Sequence, residues 1–129
     1  MSGKKWVILI VAIVAAVIAV LTSLKLASAP ELKQDKITEM NIQFQMNGMT
    51  KWDVSGEDIS LICEALNGIE KDFAGFHSGK GWKVWLSCSN GQEISIVGNI
   101  IVYHGIISRE FSVSENDIQE FVKLLNSLK

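Results

Sequence analysis

The sequence predicts an α+β protein. An N-terminal transmembrane helix is followed by a two-layer ββαββββα domain, an antiparallel sheet with two helices on one face. Three observations carry this expectation. Residues 6–24 carry no charge and are mostly apolar, two later segments share one capped amphipathic pattern, and short alternating stretches punctuated by Gly and Asn lie between them. The 129 residues leave room for one domain plus an anchoring or targeting segment. The expected division is a signal anchor at 1–27, a linker at 28–36 and a domain at 37–129.

The run "WVILIVAIVAAVIAVLTSL", Trp6 to Leu24, carries no charge. As a helix it would span roughly 28 Å, about the hydrocarbon thickness of a bilayer. Its Val and Ile favour strand in water. In lipid, every backbone group needs an internal partner, so a helix forms instead. Lys4, Lys5 and Trp6 suit a cytoplasmic flank and an interface anchor. The competing reading is a signal peptide cleaved after Ala29, since "LASA" offers Ala27 and Ala29 in small-x-small spacing. The length of the run, Lys25 before the site and Pro30 after it weigh against cleavage. In the anchored case the protein is a single-pass cell-membrane protein with a cytoplasmic N-terminus and an extracytoplasmic domain; in the cleaved case it is secreted. No cysteine near residues 20–35 suggests a lipid anchor, and a chain this short has no core able to surround a helix apolar on every side.

From Pro30 onward nine Lys and Arg stand against fourteen Asp and Glu, a net charge of −5. That balance provides no electrostatic footprint for nucleic acid and is mildly repelled by anionic headgroups. The expected partners are the lipid bilayer, through residues 6–24, and another envelope protein or a peptide. The polar "SAPELKQDK" reads as a short tether.

Within the domain, "ITEMNIQFQMNGMTKWDVS" places Ile42, Phe44 and Met46 on one face and Gln43 and Gln45 on the other. Asn47-Gly48 is a hairpin turn signal, and the second strand ends at Trp52 and Val54. Ser55 then reads as an N-cap with Asp58 three residues on, followed by an apolar stripe of Ile59, Ile62, Cys63, Leu66 and Ile69 and a stop at Gly68. The pattern recurs as Ser114, Asp117 and the stripe Ile118, Phe121, Val122, Leu125 and Leu128. Val54–Asn67 and Val113–Asn126 are identical at six of fourteen positions. Internal duplication and independent use of the same helix-start signals both account for this.

Between the helices, "GWKVWLSCS" alternates Trp82, Val84, Leu86 and Cys88 against Lys83, Trp85 and Ser87. "NGQ" turns the chain into "EISIV"; Gly98-Asn99 leads to "NIIVYH", and Gly105 to "IISREFSV". Residues 70–81, "EKDFAGFHSGKG", lack a pattern and read as a Gly-rich loop bearing Phe73, Phe76 and His77.

Few residues offer chemistry. "GFHSGKGW" fails the phosphate-loop fingerprint in spacing and in its missing Ser or Thr after Gly-Lys. His77 and His104 lack Cys or His partners at zinc-ligand spacing, so no metal or cofactor is expected. Cys63 and Cys88 both fall on core-facing positions. A disulfide needs Cα atoms within about 7 Å; two small buried side chains are the simpler reading. No nucleophile, base and orienting acid converge, and Ser55 and Ser114 serve as caps, so no catalytic residues are assigned and an enzyme is not expected. What remains is surface. If Trp82, Val84 and Leu86 face the helices, Trp85 faces out and Tyr103 with Ile101 joins it. The candidate partner-binding residues are Phe76, His77, Trp85 and Tyr103.

The order of hairpin, capped helix, Gly-Trp-led strand, Asn-Gly turn, "GNIIVYHG" and terminal "DIQEFVKLLNSLK" resembles small extracytoplasmic α+β domains common behind a single membrane segment or lipid anchor in Gram-positive bacteria. The resemblance covers residues 37–129 and implies a membrane-tethered domain of unassigned biochemical role, with no catalytic residues to carry over. At the level of architecture alone, the chain is similar to secreted peptidase- or β-lactamase-inhibitor folds. The expected function is a membrane-tethered extracytoplasmic binding module; the alternative is a small envelope sensor or a peptidase/hydrolase-inhibitor-like domain.

Overall fold

The computed structural model describes residues 3–46, 48–76 and 81–129. These form three α-helices and one seven-stranded antiparallel sheet. In chain order the elements are α1 (Gly3–Ala27), β1 (Glu39–Gln45), β2 (Met49–Ser55), α2 (Glu57–Gly68), β3 (Asp72–Phe76), β4 (Val84–Cys88), β5 (Glu93–Val97), β6 (Ile100–His104), β7 (Arg109–Ser112) and α3 (Glu115–Ser127). Across the sheet the order is β2-β1-β4-β5-β6-β7-β3. The α+β class agrees with the sequence reading, but there is one strand more than predicted. The segment expected to be a loop contains β3, which joins the sheet edge by pairing Phe73 with Phe111 and Phe76 with Arg109, around an irregularity at Gly75. "DFAGF" alternates too briefly, and with a glycine inside it, to announce a strand.

One apolar layer joins the sheet to both helices. Met40, Ile42 and Phe44 of β1 face Leu86 and Val84 of β4, which face Ile94 and Ile96, then Ile101 and Tyr103, then Phe111. The stripes Ile59, Ile62, Cys63 and Leu66 of α2 and Ile118, Phe121 and Leu125 of α3 close over them in one cluster. Val102 is fully buried but lies on the opposite face, outside that cluster. At the β2 edge Phe44 and Trp52 meet edge to face at 5.0 Å, and the Lys129 ammonium lies 5.1 Å from the Trp52 ring centre.

Local signals explain most boundaries and the main departures. Met46, expected inside, follows the end of β1 and is exposed. Gly48 turns the hairpin at φ 106°; its expected partner Asn47 lies outside the described residues. Ser114 caps α3 as predicted, its Oγ accepting from Asp117 N at 3.1 Å. Ser55 does not cap α2. It ends β2, and Gly56, at φ 62°, takes the cap position without a side-chain bond. The two copies of the pattern therefore start their helices differently, because the residue after the serine is Gly in one copy and Glu in the other. At the far end of α2 the Lys71 ammonium donates to the carbonyls of Leu66 and Ile69, compensating the helix C-terminus.

Residues 28–36 do not run free: Leu32 is buried, and the Asn67 side chain of α2 accepts from its N–H at 2.9 Å and donates to its C=O at 3.1 Å. Gln92 donates to Glu31 O at 3.1 Å from the β4–β5 turn. One apolar residue inside a polar stretch was enough to dock it, a signal that mean polarity conceals.

Urea unfolding of the detergent-solubilised chain should separate the two helix starts. Ser114→Ala should cost about 1 kcal/mol through the lost cap, whereas Ser55→Ala should stay within about 0.5 kcal/mol. Gly56→Ala should cost on the order of 1 kcal/mol or more, because a side chain is strained at its positive φ. Equal losses at Ser55 and Ser114 would contradict the assigned caps.

Candidate functional site

The face of the sheet away from the helices gathers most of the polar and aromatic groups left unexplained by the core. Its central row runs Gln43, Trp85, Ser95, Val102 and Glu110 across five strands. Beside it, Ser87, Glu93 and His104 form a second row. Each position follows from period-two alternation once the hairpin registers are set.

His104 is the focus of this face. Its ring stacks on Trp85 with centres 4.4 Å apart and planes 23° from parallel. Trp82 meets Trp85 edge to face at 5.6 Å. Ser95 Oγ lies 2.7 Å from His104 Nε2, and Glu93 is the residue directly opposite His104 on β5. Ser87 Oγ donates to Glu93 Oε1 at 3.3 Å. Hydroxyl, imidazole and carboxylate thus share two neighbouring strands. An attacking serine must be reached by substrate, however, and Ser95 is only 1 % exposed. The geometry instead orients a ring: the hydroxyl fixes the edge of the imidazole while Trp85 covers its face.

Of the predicted site residues, the structure places Trp85 on this outer face, half-buried. Phe76 is exposed at the end of β3, on the other face of the sheet, in register with Arg109. His77 lies outside the described residues. Tyr103 and Ile101 are corrected: both are buried on the helix side, where Tyr103 meets Phe111 edge to face at 5.5 Å. Strand β6 carries apolar residues at successive positions, so alternation alone could not choose its inner face. Among the described residues the Tyr103 hydroxyl has no hydrogen-bond partner, and burial raises its pKa. Trp82, expected to face the helices, precedes β4 and turns onto Trp85. The outer face is also less open than expected, since Ser95 and Val102 at its centre are shielded. Trp82, just before β4, lies on this side against Trp85.

Sequence reasoning missed the Ser95–His104 bond, although the signal existed. A two-residue Gly98-Asn99 turn pairs Val97 with Ile100 and puts Ser95 diagonally across from His104.

Other clefts bring little chemistry together. One of about 460 Å³ opens between the sheet and α3, lined by Val84, Ile96, Ile118 and Val122 with Lys83 at its rim. Another of about 490 Å³ lies between the docked segment and α2, with Glu31, Asp35, Glu64 and Lys33 around it. Among the described residues no group of three His, Cys, Asp or Glu is arranged to hold a metal ion. Cys63 and Cys88 are both free and buried. Burial, with Cys63 and Glu93 adding to it, pushes the Cys88 thiol up to about 12.

No protein family, curated protein or solved structure matches the chain.

These environments have measurable consequences. Both thiols should resist alkylation at pH 8 in the folded protein and react on unfolding; rapid native labelling of Cys88 would contradict its burial. An unfolded thiol ionises near 9.0 and folded Cys88 near about 12, so the folded state holds its proton more tightly and stability should fall as pH rises through that window. Ser95→Ala should lower stability by about 0.5–1.5 kcal/mol through the lost bond to His104, and should change the tryptophan fluorescence as the stack loosens.

Proposed function

We propose that this chain is a single-pass, membrane-tethered binding module whose domain lies outside the cytoplasm and meets another envelope protein or a peptide through the Trp85–His104 face. The observation that carries the tethering is α1 itself. The most apolar eighteen-residue window of α1 has a mean hydropathy of 3.1, and none of it is covered by the domain. An apolar surface of this length in water is strongly unfavourable, and lipid removes the cost. Lys4 and Lys5 before the span favour an inside N-terminus, as cytoplasmic flanks are rich in Lys and Arg.

The binding role rests on the Trp82–Trp85–His104 stack. Aromatic groups held rigid before contact lose little entropy on binding and serve as interface anchors. The Ser95 bond supplies that rigidity here. Ser95, the hydroxyl beside His104, is shielded from any substrate, so recognition fits this geometry better than turnover does.

Two experiments on intact cells test the separate parts. A membrane-impermeant maleimide should label Lys123→Cys without cell lysis; labelling only after lysis would place the domain inside. A photo-crosslinking residue at position 85 should give a discrete adduct that the same group at position 123 does not. Identical adduct patterns from both positions would remove the outer face as the binding surface.

A further inference from the structure

We propose that the β6–β7 turn and the end of β3 form a lipid-contacting edge, with Ile106, Ile107 and Phe76 entering the headgroup–acyl boundary of the bilayer that holds α1. This rests on the reading of α1 as a membrane anchor and adds to it the domain's orientation on the membrane and the residues that set it.

The turn is chemically odd. Hairpin loops are normally built from Gly, Asn, Asp, Ser and Pro. This one reads Gly105-Ile106-Ile107-Ser108, and the sequence alone suggested that both isoleucines belong to the strand. The structure starts β7 at Arg109 and leaves Ile106 fully exposed and Ile107 56 % exposed. Such a local conflict between apolar composition and solvent exposure marks a surface used for something. Phe76, 58 % exposed, lies opposite Arg109 in the β3–β7 pairing. Phe73 meets both Phe76, at 5.6 Å, and buried Phe111, at 5.7 Å, so an aromatic strip leads from the core out to this edge.

The position of the edge is what selects lipid. Arg109 Nη1 donates to Lys25 O at 3.1 Å and to Ser28 O at 3.2 Å. These carbonyls lie one and four residues past Leu24, the last residue of the charge-free run. The guanidinium therefore holds the emerging end of α1 against the first residue of β7, at the level where the apolar span stops. Ile107 is two residues away, within roughly 7 Å along the chain. Apolar groups at a membrane interface sink about 5–10 Å into it. Lys25 and Arg109 also bring cationic groups to this edge, suited to headgroup phosphates. Leu32, bound at both its N–H and C=O by Asn67, keeps the connection short and fixed, so the domain cannot swing away freely.

The test uses the full chain in phosphatidylcholine vesicles, with an environment-sensitive fluorophore on a single introduced cysteine at Ile107→Cys, Ala15→Cys or Met49→Cys. Met49 is exposed at the opposite end of the sheet. The two native thiols are buried, and wild type carried through the same labelling is the blank. The probe at 15 should be quenched by spin-labelled lipid. The probe at 107 should show lipid quenching, a blue shift and loss of iodide quenching, and the probe at 49 should remain iodide-accessible. Lipid quenching at 15 with free iodide access at 107 overturns this inference and leaves the anchor standing. Absence of lipid quenching at 15 overturns both. A probe at 107 shielded from iodide and from lipid alike means a protein covers the turn, and also overturns it.

Discussion

The inner face of the sheet can leave water only if something apolar lies along its whole width, and that requirement organises the domain. Six of the seven strands present a continuous field from Val54 to Phe111, and two helices of twelve and thirteen residues are available to cover it. The helices suffice because the segment after α1 contributes Leu32 and Ile37, both buried in the same layer. The piece that reads as a tether is thus part of the core. Its docking brings the end of α1 to a defined place on the domain, and the Arg109 guanidinium completes the join by donating to the carbonyls of Lys25 and Ser28.

The opposite face follows a different logic. Its centre is closed around Ser95 and Val102, and its polar and aromatic groups are fixed by one another. The sheet also protects its margins. β2 exposes Lys51 and Asp53 at one edge, and β3 is interrupted at Gly75 at the other; charge and irregularity both discourage pairing with a second sheet.

Much of this was legible in the residues. The apolar stripes of α2 and α3, the alternation in β1 and β4 and the Gly-marked turns at 48, 91 and 98 needed no structure to find. What escaped has specific causes. β3 is five residues with a glycine inside, and it forms because β7 offers it an edge. Tyr103 and Val102 are both buried, on opposite faces, so hydrophobicity along β6 gives no direction. Ser55 has the right side chain for a cap, but Gly56 supplies a backbone angle that moves the helix start one residue on. Trp82 escapes the period of β4 because the strand has not yet begun. The stacked Trp85–His104 pair depended on register, which the two-residue turn encoded but composition did not.

The place of β3 in the sheet has a consequence for how the chain is made. Third to be synthesised, this strand ends up outermost, against the seventh, and Asp72–Phe76 has no neighbour to zip onto until residues 109–112 exist. Its phenylalanines precede in the chain the two hairpins built from β4, β5 and β6. Closure of a long loop is slow, and unpaired apolar strands are sticky while it lasts. A growing polypeptide delivered amino-terminus first would carry this vulnerability until nearly its last twenty residues emerge, so the final hairpin acts as the clasp that ends the exposed interval.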